Sequence, residues 1–297
     1  MHAQPPTARA TFRTSAQMVL VPVTVTDRDG KSVNGLRQQD FSITDDQKPQ
    51  EISSFTSDDA PCSVGLVVDV SGSMKDGLSA AKKAAHEFLK AANPDDEFLL
   101  LTVSTLPEAV SEFTADTDAL ERKIELAHPD GFTALIDTVY LALSHMREAR
   151  QHRKALLVLS DGVDNHSRYS KGELMRVALE ADVQVYTIIL GNPSATATAT
   201  VPFRPSMIKK PGDQAADRQG PLLLEELANR TGGLHFRAVS DSDAKDAAIK
   251  ASQTLRNQYV IGYQPPNYDM SGKWHRVHVK SSIPKVNVYA RSGYYSR

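Results

Sequence analysis

Apolar residues change their spacing twice along the chain, and these changes divide it into three parts. In the middle part, short continuous apolar runs such as 64–68 and 155–159 alternate with stretches of helical spacing. Continuous apolar runs are typical of parallel strands that are buried on both faces. The alternation predicts an α/β fold: a doubly wound, mostly parallel sheet with helices on both faces. We predict strands at 64–68, 98–103, 109–113, 155–159, 183–190 and 234–236 and helices at 78–89, 117–127, 134–150, 171–180, 221–230 and 242–256.

The flanks show short strand patterns alone. Strands are predicted at 18–26, 41–44, 51–55, 258–263, 274–279 and 286–290. Three strands by themselves bury little apolar surface, whereas six can form a sandwich, so we favour one joined sandwich over two separate sheets. We therefore expect a small, discontinuous β-sandwich-like domain made of 18–57 and 258–297, around an α/β domain at 61–257.

Two further segments stand apart from these patterns. Residues 1–17 are polar and rich in Pro, Thr and Ala, which predicts a flexible tail. Residues 192–220 contain Ala-Thr repeats and four prolines, and this segment is too long for an ordinary strand-to-helix connection. We interpret it as a long insertion loop that leaves a core strand at its carboxyl end and therefore borders whatever site lies there.

Composition excludes several classes of protein. The 34 Lys and Arg residues nearly balance 36 Asp and Glu residues, for a formal net charge of −2, so a strongly basic nucleic-acid surface is not expected. The single cysteine, Cys62, excludes an intrachain disulfide and a cysteine-rich zinc site. Because Cys62 lies in an apolar run, we expect it to be a small buried hydrophobic residue.

Membrane insertion is not expected either, because no apolar run approaches the roughly 18 residues that a membrane span needs. The chain does not open with a charged-then-apolar signal segment. Residues 1–6 resemble what remains after an Ala-x-Ala cleavage site. We therefore expect an exported parent, located in the periplasm, at the cell surface or outside the cell.

Oxygen-bearing side chains follow the predicted core strands. Asp69, Ser71 and Ser73 come after 64–68, Asp161 comes after 155–159, and Thr133 lies in a loop before a helix. Ligands of open α/β sheets bind beyond the carboxyl ends of the strands, where these loops meet. Mg²⁺ prefers about six oxygen ligands and often keeps several waters. The hydroxyls would be neutral ligands and the two carboxylates would supply charge, directly or through water.

These motifs resemble the metal-ion-dependent adhesion site of the von Willebrand factor A domain. Its three parts occur in order as Asp-x-Ser-x-Ser at 69–73, Gly-x-Thr at 131–133 and Ser-Asp-Gly at 160–162. The flanks resemble a bacterial subgroup with β-rich extensions, through Val-x-Val-x-Val-x-Asp, Gly35-Leu36, Asp40-Phe41, Asn257-Gln258-Tyr259, Gly262-Tyr263 and Gly293-Tyr294-Tyr295.

The resemblance implies a function as well as a fold. It implies Mg²⁺ or Mn²⁺, with Ca²⁺ less favoured, held by Asp69, Ser71, Ser73, Thr133 and Asp161. It also implies that a carboxylate of a protein or peptide partner completes the metal shell, and that a helix shifts with the metal state. Gly131, Phe132 and His166 lie close to these ligands in sequence and are candidate partner contacts.

Two other classes of function stay open. The first is a metal-dependent hydrolase or chelatase-like subunit, although no general base beyond the ligands is evident. The sequence has Ser71 where an aspartyl phosphatase would have its second Asp, and it has neither a Gly-x-Ser-x-Gly elbow nor a phosphate-binding loop. The second is a purely structural component of an envelope complex. We expect a non-enzymatic binding module. The nine histidines show no metal-binding spacing, and His275 and His278 should face opposite sides of a strand.

Overall fold

The structure is a computed structural model that describes residues 18–57, 59–191, 213–265 and 270–296. Its strands are β1 (Val19–Thr26), β2 (Phe41–Asp45), β3 (Lys48–Gln50), β4 (Ile52–Thr56), β5 (Cys62–Asp69), β6 (Glu97–Val103), β7 (Glu108–Ala109), β8 (Arg153–Ser160), β9 (Gln184–Leu190), β10 (His235–Ala238), β11 (Gln258–Tyr263), β12 (Trp274–Ser281), β13 (Asn287–Ala290) and β14 (Gly293–Tyr295). Its α-helices are α1 (Leu78–Lys90), α2 (Thr117–Glu125), α3 (Leu135–His145), α4 (Lys171–Glu180), α5 (Asp213–Thr231) and α6 (Asp241–Arg256).

The central sheet has the strand order β10-β9-β8-β5-β6-β7. All its neighbouring strands pair in parallel except β6 and the short edge strand β7, which are antiparallel. Every residue of β5 is buried; four of its side chains belong to one apolar cluster, and Val67 belongs to another on the opposite face. One cluster includes α1, α2 and α6, and the other includes α3, α4 and α5. The predicted mostly parallel sheet with helices on both faces is therefore confirmed.

The flanking strands form two further four-stranded sheets, ordered β13-β1-β11-β4 and β14-β12-β2-β3. Each sheet combines strands from both ends of the chain, and β1 pairs antiparallel with both β11 and β13. The two sheets share one apolar core, which includes Val21, Ile43, Tyr259 and Val277. The predicted sandwich-like arrangement is confirmed, whereas the bounds of the two domains stay a proposal.

The sandwich has eight strands, where the apolar pattern predicts six. The two additional strands are β3 and β14, each three residues long. Strand β3 contains Pro49, lies at a sheet edge and buries none of its side chains, so it shows no alternation of apolar residues. Such short edge strands are formed by pairing with a neighbour, which a pattern along one segment does not reveal.

The predicted boundaries between 192 and 230 need one correction. Helix α5 begins at Asp213 and contains Pro221, so residues 213–220, which we assigned to the insertion loop, are helical. A proline inside a helix removes one backbone hydrogen bond, so the sequence around Pro221 does not indicate that the helix begins two turns earlier. Residues 192–212 of the predicted loop, and residues 1–17 of the predicted tail, lie outside the described residues.

Two other elements are shorter than predicted. The strand expected at 109–113 consists of Glu108–Ala109, because the N–H groups of Val110 and Ser111 both donate to the Leu100 carbonyl and interrupt the regular pairing with β6. The helix expected at 134–150 ends at His145 and passes into a 3-10 turn at Met146–Glu148.

The lone cysteine lies where the sequence predicts. Cys62 is buried at the start of β5, as predicted. Burial, with a smaller effect of the Asp96 charge, raises the pKa of its thiol to about 11, so Cys62 stays protonated at neutral pH. Across the described parts of the chain, no helix has both the length and the apolar character that crossing a membrane requires.

Candidate metal centre

The candidate centre is built on the last residue of β5. Asp69 is completely buried at the carboxyl edge of the central sheet. The backbone N–H of Ser71 donates to its Oδ1 at 3.0 Å, and the Ser160 hydroxyl at the end of β8 donates to its Oδ2 at 2.6 Å. Both carboxylate oxygens are therefore held in place by neighbouring loops.

The two serines of the motif lie at the start of a 3-10 turn. Ser71 is buried and Ser73 is exposed, and their hydroxyl oxygens are 3.0 Å apart. Between them, the N–H of Gly72 donates to the carbonyl of Gly131 at 3.0 Å, which joins this loop to the loop before α3. Gly131 has a φ of +77°, and a Cβ there would lie 2.4 Å from the Thr105 hydroxyl oxygen. A glycine is therefore required at 131.

Thr133 connects the same loop to the segment that follows β8. Thr133 is buried, and its N–H donates to the Asn165 side-chain carbonyl at 2.9 Å. Its own carbonyl accepts hydrogen bonds from the N–H groups of Asn165 and His166, both at 3.0 Å. The Thr133 loop and the Asp161 loop are thus fastened to each other.

Asp161 is half-buried, and its Oδ1 accepts a hydrogen bond from the Val163 N–H at 2.9 Å. Further along this loop, Asp164 caps α3 by accepting from the Leu135 N–H at 2.9 Å. Asp137, buried in the first turn of α3, accepts from the N–H groups of Arg168 and Tyr169. The loop that carries Asp161 is therefore fixed to the N-terminus of α3.

Sequence reasoning named the five candidate ligands and missed the residues that orient them. The sequence identifies Ser160 only as the first residue of the Ser-Asp-Gly motif, with no role of its own. The other orienting side chains accept hydrogen bonds from backbone N–H groups about 30 positions away in sequence, and no local motif reveals such pairs. They belong to Asn165, Asp164 and Asp137.

Electrostatics make Asp69 an unusual carboxyl group. Burial raises its pKa from 3.8 to about 6, and the nearby charge of Asp161 acts in the same direction, while the hydrogen bonds from Ser160 and Ser71 oppose the shift. A buried carboxylate without a counter-charge is costly, and a bound cation would remove that cost. The donor set of two carboxylates and three hydroxyls is the oxygen-only set that Mg²⁺ and Mn²⁺ prefer. The residues present therefore fit the metal that the resemblance implies.

The candidate partner contacts lie beside this centre. Phe132 is 59% exposed although it is large and apolar. Its ring stacks on the exposed His166 ring, with centroids 5.2 Å apart and planes at 13°. The structure therefore brings Phe132 and His166 together next to Thr133, with Gly131 one residue away.

The end of the predicted insertion also reaches the centre. Gly220 in α5 lies against Gly162, the residue after Asp161, and a Cβ on Gly220 would lie 1.4 Å from the Gly162 carbonyl oxygen. Only a glycine at 220 permits this close approach of two backbones. Helix α5 therefore supports the loop that carries Asp161.

We expect Gly220→Ala to push α5 away from this loop, to lower the free energy of unfolding by about 1–3 kcal/mol and to weaken metal binding. Urea unfolding and calorimetric metal titration would measure both effects. Gly172→Ala is the matched control, because Gly172 also lies in a helix and a Cβ there would meet only the Ser170 hydroxyl oxygen, at an unstrained 4.0 Å. If both alanine variants are as stable as the wild type, the supporting role of Gly220 is wrong.

The fold and the centre define an α/β domain with a candidate cation site at the carboxyl edge of its sheet. Residues 64–163 match the family model of the von Willebrand factor type A domain. The chain therefore contains a von Willebrand factor type A domain, as the motifs predict.

Individual relatives are distant. A protein of Borreliella burgdorferi (strain ATCC 35210 / DSM 4680 / CIP 102532 / B31), described only as uncharacterized, is 25% identical over 201 residues, which cover 64% of this chain and 58% of the relative. The chain thus spans little more than half the length of that relative.

Two solved structures share the fold. One is a von Willebrand factor type A structure from Catenulispora acidiphila. The superposed region covers 94% of this chain and 74% of that protein's chain, with 12% identity and a TM-score of 0.52. The other is an aerotolerance-related membrane protein from Bacteroides fragilis NCTC 9343. Here the superposed region covers 65% of this chain and 98% of that protein's chain, with 18% identity and a TM-score of 0.50. At these identities the likeness shows the fold alone.

Proposed function

We propose that this protein binds a protein or peptide partner through a divalent cation held by Asp69, Ser71, Ser73, Thr133 and Asp161. Von Willebrand factor type A domains commonly mediate protein–protein interaction. The observation that carries the proposal is the set of hydrogen bonds joining the three motif loops: Ser160 to Asp69, Gly72 to Gly131 and Thr133 to Asn165. These bonds pre-organise the oxygen donors before any ion binds.

Each residue has a defined task in this proposal. Asp69 and Asp161 supply negative charge, and the hydroxyls of Ser71, Ser73 and Thr133 supply neutral oxygens. When bound, Mg²⁺ or Mn²⁺ would act as the electrophile that accepts an Asp or Glu carboxylate of the partner. Phe132 and His166 offer a flat aromatic surface beside that carboxylate. The predicted insertion, whose residues 213–220 are the start of helix α5, would border it and influence the choice of partner.

We propose binding in preference to catalysis. A metal-dependent hydrolase or chelatase-like subunit needs a general base beside the ion. Both carboxylates of the motif serve as ligands here, and His166 is stacked on Phe132. In a purely structural role, the ion would stabilise the domain and partner capture would not depend on it. For the chain itself, a periplasmic, cell-surface or secreted location stays a prediction.

The test combines calorimetry with partner capture. We expect Mg²⁺ and Mn²⁺ to bind the wild type, Asp69→Ala to lose this binding, and Asp246→Ala, at an exposed position on α6, to retain it. Envelope extract passed over immobilised protein should yield a partner in the presence of Mg²⁺ and lose it after chelation. Partner capture that is unchanged by chelator and by Asp69→Ala would support the structural role and contradict the proposal. Turnover of a hydrolysable substrate would also contradict the proposal.

A further inference from the structure

A second cluster of metal-ligating side chains lies in the β sandwich, apart from the centre at Asp69. Asp45 ends β2, and Asp46, with a φ of +46°, opens the tight turn to β3. Strand β12 pairs with β2 so that Val277 lies opposite Asp45. The Asp46 N–H donates to the Arg276 carbonyl at 2.9 Å, and the Arg276 N–H donates to the Asp46 side-chain Oδ1 at 2.9 Å. This register brings His275 of β12 against both carboxylates.

The distances within the cluster suit a small tetrahedral ion. The His275 Nδ1 atom lies 3.1 Å from Asp46 Oδ2 and 3.7 Å from Asp45 Oδ1. One ligand atom from each of the three residues falls within 4.8 Å of the other two. Zn²⁺ with bonds of about 2.0 Å to tetrahedral ligands holds those ligands about 3.3 Å from one another. Only small side-chain movements would convert the observed spacing into that geometry.

The carboxylate of Asp45 supplies an independent indication of a ligand. Asp45 is 5% exposed, and its Oδ2 accepts hydrogen bonds from the hydroxyls of Tyr263 at 3.0 Å and Tyr294 at 2.9 Å. Its Oδ1 is buried, directed at the cluster, and has no hydrogen-bond partner among the described residues. Buried carboxylate oxygens are rarely left unsatisfied. A cation between Asp45 and His275 would satisfy it.

The tyrosines orient this carboxylate. Burial, with the neighbouring Tyr294 and Asp45, raises the pKa of Tyr263 far above its usual range, so the phenol remains a hydrogen-bond donor. With Oδ2 held by the two phenols, Oδ1 is the oxygen left to face His275. Supporting hydrogen bonds of this kind are typical of carboxylates that ligate metals.

We propose that Asp45, Asp46 and His275 bind one divalent transition-metal ion of the Zn²⁺ type, with water in the fourth position. Imidazole together with carboxylates suits Zn²⁺ and related ions, whereas Mg²⁺ and Ca²⁺ prefer oxygen ligands alone. Asp45 and Asp46 come from the N-terminal segment and His275 from the C-terminal segment, so the ion would cross-link the two ends of the chain. The site does not depend on the function proposed for Asp69.

The test uses Asp69→Ala protein, which removes the first centre from the measurement. We expect calorimetry and metal analysis to find one bound Zn²⁺ per chain and saturating Zn²⁺ to raise the melting temperature by about 5 °C. Adding His275→Gln should abolish both effects. Adding His278→Gln should preserve them, because His278 lies three residues along the same strand on its exposed face.

Cobalt gives a second readout that does not require a folded His275 variant. Co²⁺ bound to Asp69→Ala protein at a tetrahedral nitrogen and oxygen site should show much stronger visible absorption than hydrated Co²⁺, and Zn²⁺ should displace it. The alternative is that protonated His275 bridges the two carboxylates without a metal. That alternative holds, and the proposal is overturned, if Zn²⁺ neither binds nor stabilises Asp69→Ala protein, or if both histidine variants bind Zn²⁺ equally.

Discussion

Replacing Asp69 with asparagine is expected to abolish Mg²⁺ binding and, at the same time, to stabilise the metal-free protein at pH 7.5. Asp69 is 0% exposed, and its pKa in the folded protein is about 6, compared with an ordinary value of 3.8. A difference of that size corresponds to a penalty of at most about 3 kcal/mol for holding the ionised group in the folded state. Asparagine carries no charge, so the variant avoids this penalty.

The sign of the pH dependence follows from the raised pKa. Between about pH 4 and pH 6 the folded state binds more protons at Asp69 than the unfolded state does. The metal-free wild type therefore loses stability as the pH rises through this range and carries the full penalty above pH 6. The advantage of Asp69→Asn should be largest above pH 6 and should vanish near pH 4.

Asparagine also fits the hydrogen bonds around position 69. Its carbonyl oxygen would accept from the Ser71 N–H, as Asp69 Oδ1 does. Its amide would donate to the Ser160 hydroxyl, which already accepts from the Gly162 N–H at 2.9 Å and has a second lone pair. The exchange removes the charge but also the acceptor of the buried Ser160 hydroxyl proton, and this loss offsets part of the advantage.

Thermal melts with chelator between pH 4 and pH 8, together with Mg²⁺ calorimetry, measure both effects of Asp69→Asn. The exposed Asp246→Asn variant is the control and should match the wild type in both measurements. A variant at Asp69 that binds Mg²⁺ normally, or that melts below the wild type at pH 7.5, would contradict the assignment of Asp69 as a buried ligand.

The sequence predicts that the candidate ligands of the first centre lie at one edge of the sheet, because the α/β fold determines where the loops after the strands meet. Asp69 and Asp161 each follow a continuous apolar run, and the carboxyl ends of parallel strands meet at one edge of a sheet. Knowledge of the fold class is therefore enough to bring Asp69 near Asp161. The hydrogen bonds that orient these ligands, such as Asn165 to Thr133, depend on loop conformation and are not encoded in spacing.

The second cluster was missed for a different reason. Asp45 and His275 are brought together by the antiparallel register of β2 and β12, and a shift of one residue would turn His275 to the opposite face. Alternation predicts that His275 and His278 face opposite sides, and the structure agrees: His275 is half-buried and His278 is exposed. Alternation does not predict which of the two histidines faces inward. Nothing in the local sequence connects Asp45 with a residue so far along the chain.

The other large effect is expected at Arg256, the last residue of α6. Its Nη2 atom forms an ion pair with Asp96 Oδ2 at 2.6 Å, and its Nε donates to the Ala91 carbonyl at 3.1 Å. Asp96 is 2% exposed and also accepts from the N–H groups of Cys62 and Asn93. The ion pair thus lies at the amino ends of β5 and β6, opposite the candidate metal centre.

This ion pair lies beside the junction between the central domain and the sandwich. Helix α6 passes into β11 through Asn257 alone, and the side chain of Gln258 at the start of β11 donates to Gln184 Oε1 at 2.7 Å and Tyr186 Oη at 2.8 Å. Any displacement of α6 must therefore either strain the pair of Arg256 and Asp96 or move β11 with it. The resemblance implies a helix that shifts with metal state, and this junction would transmit such a shift to the sandwich.

We expect Arg256→Met to lower the free energy of unfolding by about 3 kcal/mol or more, because it leaves the buried Asp96 carboxylate without its counter-charge. Urea unfolding followed in both far-ultraviolet circular dichroism and tyrosine fluorescence would measure the loss. Lys83→Met is the matched control, because it removes the cation from the ion pair of Lys83 and Asp241, whose two side chains are both nearly half exposed. It should lower the free energy of unfolding by less than about 1 kcal/mol. Equal costs in the two variants would mean that Asp96 is adequately held by the backbone groups of Cys62 and Asn93, and that the junction between α6 and β11 does not depend on Arg256.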